Sequence, residues 1–324
     1  MRGFLVQCSL YAVVCVLAAS CARQPTNETQ RELTIFAAGS MAAPLTQLAD
    51  AFEAAHPNIK INIESSGTMA AIRKITDLGR PADLLFSADA SLIEEHMFGQ
   101  HAAWYLVFGS NELALLYKEG SKFAGEVTPE NWPDLLLRAD IHFGRCDPVT
   151  APCGYRAVQL FKLAENFYHR EGIADALIGK DANFIRSQEP DLLALIETGA
   201  IDAAFMYASA IAQHDGLAML RLPDEINFGN PAFAENYATV DAEIAGEKPG
   251  ETVRVPGRPS IYAVTIPIVA ANSADAVTFL HMLIADTGTT ILKKNGMRIV
   301  PAAITGNAPA NVQELAPENT GTSP

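Results

Sequence analysis

A strand-to-helix junction near the amino terminus carries residue types that could bind an anion. The apolar run at 33–38 predicts a strand, which stops at Gly39 and Ser40, and residues 41–55 have the apolar spacing of a helix. The first turn of a helix has free N–H groups and a partial positive charge, so it can hold an anion without a cationic side chain. A serine here can also simply cap the helix. The junction therefore predicts either an anion contact or a cap at Ser40.

The other reactive side chains do not form a catalytic pattern. Ser40 lies in AGSMA rather than in a G-x-S-x-G turn. The seven histidines lack the H-x-x-x-H or H-E-x-x-H spacing of zinc enzymes. A ferric-ion binder would need adjacent tyrosines, whereas Tyr207 stands between Met206 and Ala208. We predict a binding protein with no enzymatic activity and no cofactor.

Strands alternate with helices along most of the chain, which favours parallel βαβ units. Two α/β groups result, and a strand and a helix return after the second group. We predict that lobe 1 comprises 33–111 plus 259–305 and that lobe 2 comprises 112–258, with a hinge and a cleft between them. Residues 222–259 look irregular, and residues 306–324 are expected to form a mobile tail. Ligands of open α/β sheets bind beyond the carboxyl ends of the strands.

The amino terminus has the features of an export signal. Residues 1–20 hold one charge, Arg2, and an apolar run too short for a membrane span, which needs about 20 residues. Small residues before Cys21 resemble a bacterial lipobox. We expect cleavage before Cys21, lipid on its sulfur, and residues 21–32 as a tether to the membrane. An ordinary signal peptide with a chance cysteine is the alternative.

Two of the five cysteines remain after Cys8 and Cys15 leave with the signal and Cys21 takes the lipid. These are Cys146 and Cys153. An exported protein meets an oxidising environment, so a disulfide between them is the simplest prediction. A metal pair or two free thiols are the alternatives.

The charge balance excludes one class of partner. The formal net charge is −14 and the chain has no Lys/Arg run, so nucleic acid is not expected to bind. An acidic protein can still bind an anion where local hydrogen-bond donors outweigh the repulsion from distant negative charges. Salt screens that repulsion over about 8–10 Å.

Several segments, taken in order, resemble a known family. The segments GSMAAPLTQLADAF, SSGTMAAIRKITDLGRPADLLFSAD, APCGYRAVQLFKLAENFY and LIETGAIDAAFMYASAIAQH are similar to the periplasmic molybdate/tungstate-binding proteins, most of all to the archaeal-type group. The match covers about 33–305. The resemblance implies a type II periplasmic binding fold and delivery of an oxyanion to the membrane permease of an ABC importer. We expect a monomer.

The resemblance also implies where the oxyanion binds. The expected contact residues occupy four regions: Gly39 and Ser40; Gly67 and Thr68; Ala151, Cys153 and Gly154; and Met206 and Tyr207. The archaeal-type proteins have carboxylates where Ala151 and Met206 stand, and those carboxylates complete a six-coordinate metal centre. Neither residue here can ligate a metal, so no protein side chain is expected to coordinate it, and we expect a tetrahedral oxyanion held by hydrogen bonds.

A cage made only of donors suits molybdate, tungstate or sulfate, which carry no proton at neutral pH. Phosphate usually carries one, which needs an acceptor, and a buried acceptor facing molybdate would cost about 1–3 kcal/mol. The sequence thus predicts molybdate or tungstate as the ligand, with sulfate or another small anion as the alternative.

Overall fold

The protein is described from a computed structural model, which covers residues 30–316 apart from residues 150, 181, 188 and 246–250. The predicted signal peptide 1–20, Cys21 and most of the tether 21–32 lie outside the described residues. The first strand begins at Arg31, so the last two residues of the predicted tether belong to the fold. Within the described residues, no helix combines the length and apolar character needed to cross a membrane.

The strands, in chain order, are β1 (Arg31–Ala38), β2 (Ile59–Ser66), β3 (Leu84–Ser87), β4 (Trp104–Asn111), β5 (Leu113–Lys118), β6 (Phe143–Cys146), β7 (Ile185–Arg186), β8 (Ala203–Tyr207), β9 (Leu217–Arg221), β10 (Asp241–Ala245), β11 (Thr252–Pro256), β12 (Ser260–Thr265) and β13 (Arg298–Gly306). The α-helices are α1 (Ala42–Ala55), α2 (Thr68–Thr76), α3 (Ala90–Met97), α4 (Lys122–Glu126), α5 (Trp132–Leu137), α6 (Pro152–Tyr168), α7 (Ile173–Gly179), α8 (Glu189–Thr198), α9 (Ala234–Tyr237), α10 (Ser273–Ile284), α11 (Asp286–Lys294) and α12 (Ala310–Gln313).

Lobe 1 is built on a six-stranded sheet in the order β13-β4-β12-β3-β1-β2. Strand β1 runs parallel to β2 and β3, while β12 and β13 pair antiparallel with β4. Leu33 and Ile35 join one apolar cluster, and Phe36 joins another. Successive side chains of a strand point to opposite faces, so β1 is covered on both faces, which explains its continuous apolar run.

Lobe 2 has its own five-stranded sheet, in the order β7-β6-β8-β5-β9, and its own core. Aromatic side chains fill this core: the Phe161 and Phe205 rings pack edge to face with centroids 4.9 Å apart, and the Trp132 ring lies 5.5 Å from that of Phe205. Two sheets with separate cores give the two-lobed α/β fold that the sequence predicts.

The chain passes between the two sheets at two neighbouring places. It leaves lobe 1 at the end of β4, and Leu113 N–H donates to Asn227 O at 2.8 Å as β5 begins. It returns after β11, where Ser260 N–H donates to Phe228 O at 2.8 Å and Ser260 pairs with Asn111 in the sheet register. The two crossings therefore lie side by side.

Two expectations about the chain beyond residue 221 are wrong in part. Residues 222–259 contain α9 and the antiparallel β10–β11 hairpin. Residues 306–316 are not a loose tail, because α12 follows β13 and places Val312, which is fully buried, in the lobe 1 core together with Leu315. The apolar residues at 312 and 315 share one face of this short segment and supply the packing. Residues 317–324 lie outside the described residues.

Candidate functional site

A cavity of about 520 Å³ lies between the lobes. Seven of the nine predicted contact residues line it: Gly39, Ser40, Gly67, Thr68, Ala151, Cys153 and Tyr207. The first four come from lobe 1 and the other three from lobe 2, so a small ligand in this cavity would touch both lobes.

The other two predicted contacts do not line the cavity. Met206 is fully buried in the lobe 2 core, because neighbouring residues of a strand point to opposite faces and Tyr207 takes the cavity side. Gly154 donates its N–H to Ala151 O at 2.9 Å. A Cβ at Gly154 would lie 2.3 Å from Asp147 O, so this glycine permits close packing of the helix start instead of contacting a ligand.

The helices that begin at the cavity start with open N–H groups. A 3-10 turn, Gly39–Met41, leads into α1 and begins at the cavity. Among the described residues, no side chain caps the start of this turn, of α2 or of α6. By contrast, Asp89 caps α3 and Ser121 caps α4. At α6 the first residue is Pro152, which has no N–H, so Cys153 offers the first amide. Three helix starts therefore present unsatisfied donors to the cavity, which is the arrangement that binds an anion.

The hydroxyl oxygens of Ser40 and Thr68 each accept one hydrogen bond from the protein. Tyr262 Oη donates to Ser40 Oγ at 2.8 Å, and the Ala88 N–H donates to Thr68 Oγ1 at 3.2 Å. Each hydroxyl can therefore turn its own hydrogen toward a ligand. Ser40 does not cap α1, which removes the simpler of the two explanations for the Gly39-Ser40 junction.

Two tyrosines of the cavity are strongly desolvated. Desolvation raises the pKa of Tyr207 well above the ordinary value for tyrosine, and it also raises the pKa of Tyr262. For Tyr262, the hydrogen bonds with Ser40 and Asn111 oppose this rise. Both phenols keep their protons at neutral pH and can act as donors.

Two carboxyl groups line the cavity, which the prediction of a cage without acceptors did not include. Asp89 Oδ1 is occupied, because it accepts from Ser91 N at 3.0 Å and from Ser91 Oγ at 2.8 Å. Desolvation raises the pKa of Glu189, and a hydrogen bond with Cys153 opposes the rise. A protonated Glu189 carboxyl would be a donor, whereas an ionised one would repel an anion.

The cysteine pair also borders the cavity. Cys146 and Cys153 are free and buried in this structure, and their side chains hydrogen-bond to each other, which raises the pKa of Cys153 together with desolvation. The predicted disulfide is not formed here, and its formation in the exported protein stays a prediction. Within the described residues, no cluster of three or more His, Cys, Asp or Glu side chains could hold a metal ion.

Several residues of the cavity wall were not among the predicted contacts, including Asn111, Arg156, Glu189, Ser260 and Tyr262. Arg156 follows directly after APCGY, so its place near the start of α6 was a usable signal. Ser260 and Tyr262 are two apart on β12, and this spacing puts them on one face of the strand. Glu189 begins α8, and nothing in its local sequence marks it.

The comparisons with known proteins agree with a cleft that binds a solute. The family model described as bacterial extracellular solute-binding protein matches residues 33–298. The chain belongs to this family. Membership confirms the prediction of a binding protein rather than an enzyme.

Curated relatives align with this solute-binding protein over most of both chains. A solute-binding protein of Petrotoga mobilis is 38% identical over 266 residues, which is 82% of this chain and 83% of the relative. The molybdate/tungstate-binding protein WtpA of Thermococcus kodakarensis is 32% identical over 336 residues, covering 95% of this chain and 93% of the relative. The resemblance to that family is therefore confirmed.

Among solved structures, the periplasmic molybdate-binding protein of Azotobacter vinelandii aligns with a TM-score of 0.50 at 18% identity, covering 82% of this chain and 98% of that protein. At this identity the likeness concerns the fold. It confirms the predicted periplasmic-binding-protein fold of this solute-binding protein.

Proposed function

We propose that this protein binds molybdate or tungstate as a tetrahedral oxyanion in the cleft between its lobes. The observation that carries the proposal is the set of three uncapped helical starts at one cavity, namely the 3-10 turn at Gly39 and the helices α2 and α6, with the Ser40 and Thr68 hydroxyls beside them. The WtpA relative binds these two anions by its description, which supports the same choice here.

The donors suit an anion without protons. The Cys153 amide, the Ser40 and Thr68 hydroxyls and the Tyr207 phenol can all donate, and Oδ1 of Asp89 already accepts from Ser91. Ala151 offers no carboxylate toward a metal centre, which favours tetrahedral over six-coordinate binding. Gly39 and Gly67 leave the backbone open for close approach of the ligand.

The ligand would act by closing the lobes. Its contacts come from both lobes, so the closed state gains free energy from the anion that the open state does not. The crossings beside Asn111 and Ser260 are the natural hinge. In this proposal lobe 1 comprises 33–111 plus 259–305 and lobe 2 comprises 112–258. The liganded monomer would then be recognised by the membrane permease of an ABC importer.

Export and anchoring complete the proposal. Cleavage before Cys21 and lipid on its sulfur would hold the protein at the outer side of a membrane, with the folded part starting at Arg31. Metabolic labelling of the expressed chain with a fatty acid should mark the wild type and fail to mark Cys21→Ser. Labelling that persists in the variant would contradict the anchor.

The test of the ligand is a calorimetric titration of the chain from residue 22 onward, which retains every described element. Tungstate, molybdate, sulfate and phosphate are added in separate runs. Submicromolar binding of tungstate and molybdate with far weaker sulfate is the expected result. Preferential sulfate binding would shift the assignment to the alternative ligand, and binding of none of the four would refute the site.

A further inference from the structure

One buried cation in the cavity wall has no carboxylate in direct contact with it among the described residues. Arg156 is only 5% exposed, and it forms no ion pair with any described residue. Its Nη1 donates to Arg258 O at 2.5 Å, and its guanidinium lies 5.6 Å from the centre of the Phe228 ring. Asp89 acts on it electrostatically but remains bound to Ser91. No described carboxylate contacts the guanidinium directly, so the cavity wall carries a positive site that an anion could neutralise.

The same wall carries two unsatisfied polar atoms. Arg156 Nε and Ser260 Oγ are buried and have no hydrogen-bond partner, although buried polar groups are nearly always hydrogen-bonded. Ser260 is 3% exposed and begins β12, where the chain returns to lobe 1. Arg156 is the fifth residue of α6 in lobe 2. The two orphaned groups thus come from different lobes and line one cavity.

We propose that Arg156 and Ser260 form a charge-selecting contact with the bound anion, in which the guanidinium neutralises part of a double negative charge. This inference rests on the proposed oxyanion site and adds a specificity rule to it. Helix starts and hydroxyls recognise shape and acceptor oxygens, whereas a buried guanidinium distinguishes a dianion from a monoanion of the same shape. A dianion gains about twice the Coulomb energy of a monoanion at the same distance.

A purely structural role is the competing explanation. Arg156 Nη1 holds Arg258 O, so the side chain could simply tie α6 to the returning segment. Loss of such a tie would weaken every ligand of the cleft by the same factor. Loss of a charge contact would weaken dianions selectively.

Tungstate and perrhenate separate these explanations. Both are tetrahedral oxyanions of neighbouring heavy metals, but tungstate carries about two negative charges and perrhenate about one. We expect Arg156→Gln in the purified protein to weaken the binding of tungstate on the order of a hundredfold and the binding of perrhenate much less. Arg156→Lys should keep most of the preference for tungstate over perrhenate. Ser260→Ala should weaken both anions by a similar factor, roughly tenfold.

Arg73→Gln is the matched control, since Arg73 is exposed on α2 and loses the same charge outside the cavity. It should leave both affinities nearly unchanged. Thermal unfolding of each variant checks that the fold is intact, and Arg156→Met, which also removes the charge, replaces Arg156→Gln if the latter does not fold. An equal loss of tungstate and perrhenate binding in the charge-removing variant would overturn the charge role, and unchanged binding in Ser260→Ala would overturn that of Ser260.

The wild-type titration distinguishes failure of this inference from failure of the proposed function. If wild type prefers sulfate, the pair sulfate and perchlorate replaces tungstate and perrhenate with the same expectations. If wild type binds no tetrahedral anion, the proposed function and the inference both fall. If wild type binds tungstate and the variant that removes the Arg156 charge keeps the ratio of the two affinities, only the inference falls.

Discussion

Tyr262 Oη donates a hydrogen bond to Ser40 Oγ at 2.8 Å, and Asn111 Nδ2 donates to the same phenolic oxygen at 3.0 Å. Asn111 Nδ2 also donates to Ser209 Oγ of lobe 2 at 2.8 Å. A candidate ligand contact is thus joined through two buried side chains to the first crossing between the lobes. A ligand that fixes Ser40 would also stabilise the arrangement of the hinge.

The hydroxyls of Ser40 and Thr68 should contribute directly to affinity. We expect Ser40→Ala and Thr68→Ala each to weaken tungstate or molybdate binding by about 1–3 kcal/mol, because each removes a donor to a charged ligand. Calorimetry of both variants gives the measurement. Ser121→Ala is the control, since Ser121 caps α4 outside the cavity and should cost about 1 kcal/mol of stability without changing affinity. Full affinity in both cavity variants would remove these residues from the site.

The Tyr262 phenol should influence both stability and binding. Tyr262→Phe leaves Asn111 without one acceptor and Ser40 without the donor that orients it. We expect a loss of about 1–3 kcal/mol of unfolding free energy, as for other buried polar groups that lose a partner, and a smaller loss of affinity than in Ser40→Ala. Chemical denaturation and calorimetry on the same preparation measure the two effects. Wild-type stability in this variant would show that the hydrogen bonds of the Tyr262 phenol do not contribute to the free energy of unfolding.

Glu189 should make binding depend on pH. Desolvation raises the pKa of Glu189 above its ordinary value of about 4.3, so the neutral carboxyl persists to higher pH in the folded state than in the unfolded one. The neutral form can donate to an oxyanion and the ionised form repels it. Affinity for a dianion should therefore fall as the pH rises through the raised pKa. Folding stability follows the same direction: it is fully present below the unfolded pKa and declines up to the folded one.

Glu189→Gln provides the test, because the amide keeps a donor and cannot ionise. We expect its affinity to vary less with pH than that of wild type, with the larger gain at high pH. The groups that interact with Glu189 are Cys153 and Tyr262, and the variant leaves both in place. Glu130→Gln, on an exposed loop, is the control and should keep the wild-type profile. Identical pH profiles for wild type and Glu189→Gln would exclude this role.

The sequence was sufficient for the elements whose apolar pattern is local. Strand β1, helix α1 and the junction at Ser40 follow from one apolar run and one helical spacing. The β11 strand was missed because its apolar alternation is limited to Val253 and Val255 and its residues are mostly exposed. Strand β13 was missed because it is an edge strand with Pro301 inside it and an irregular register between Ile299 and Ala303, as edge positions permit.

The residues of the candidate site also differ in whether a local sequence pattern predicts them. Ser40 and Thr68 are visible in the sequence because each begins a helix after a strand. Arg156, Ser260 and Glu189 are distant in sequence, and only the packing of the two lobes brings them to one wall. Whether a buried side chain has a partner is a property of the tertiary structure, so the missing partners of Arg156 and Ser260 could not be predicted.

The Cys146 and Cys153 side chains should react as a pair in the exported protein. They are buried, touch each other and close a short loop, so an oxidising environment should convert the two thiols to a disulfide. We expect non-reducing mass mapping of protein taken from that compartment to join the two cysteines. The chain-entropy model gives a gain of about 2–3 kcal/mol for a loop of this size, so reduction should lower the unfolding temperature. Cys146→Ser with Cys153→Ser should abolish the response to reductant. Recovery of two alkylatable thiols from the unfolded exported protein would show that the pair stays reduced.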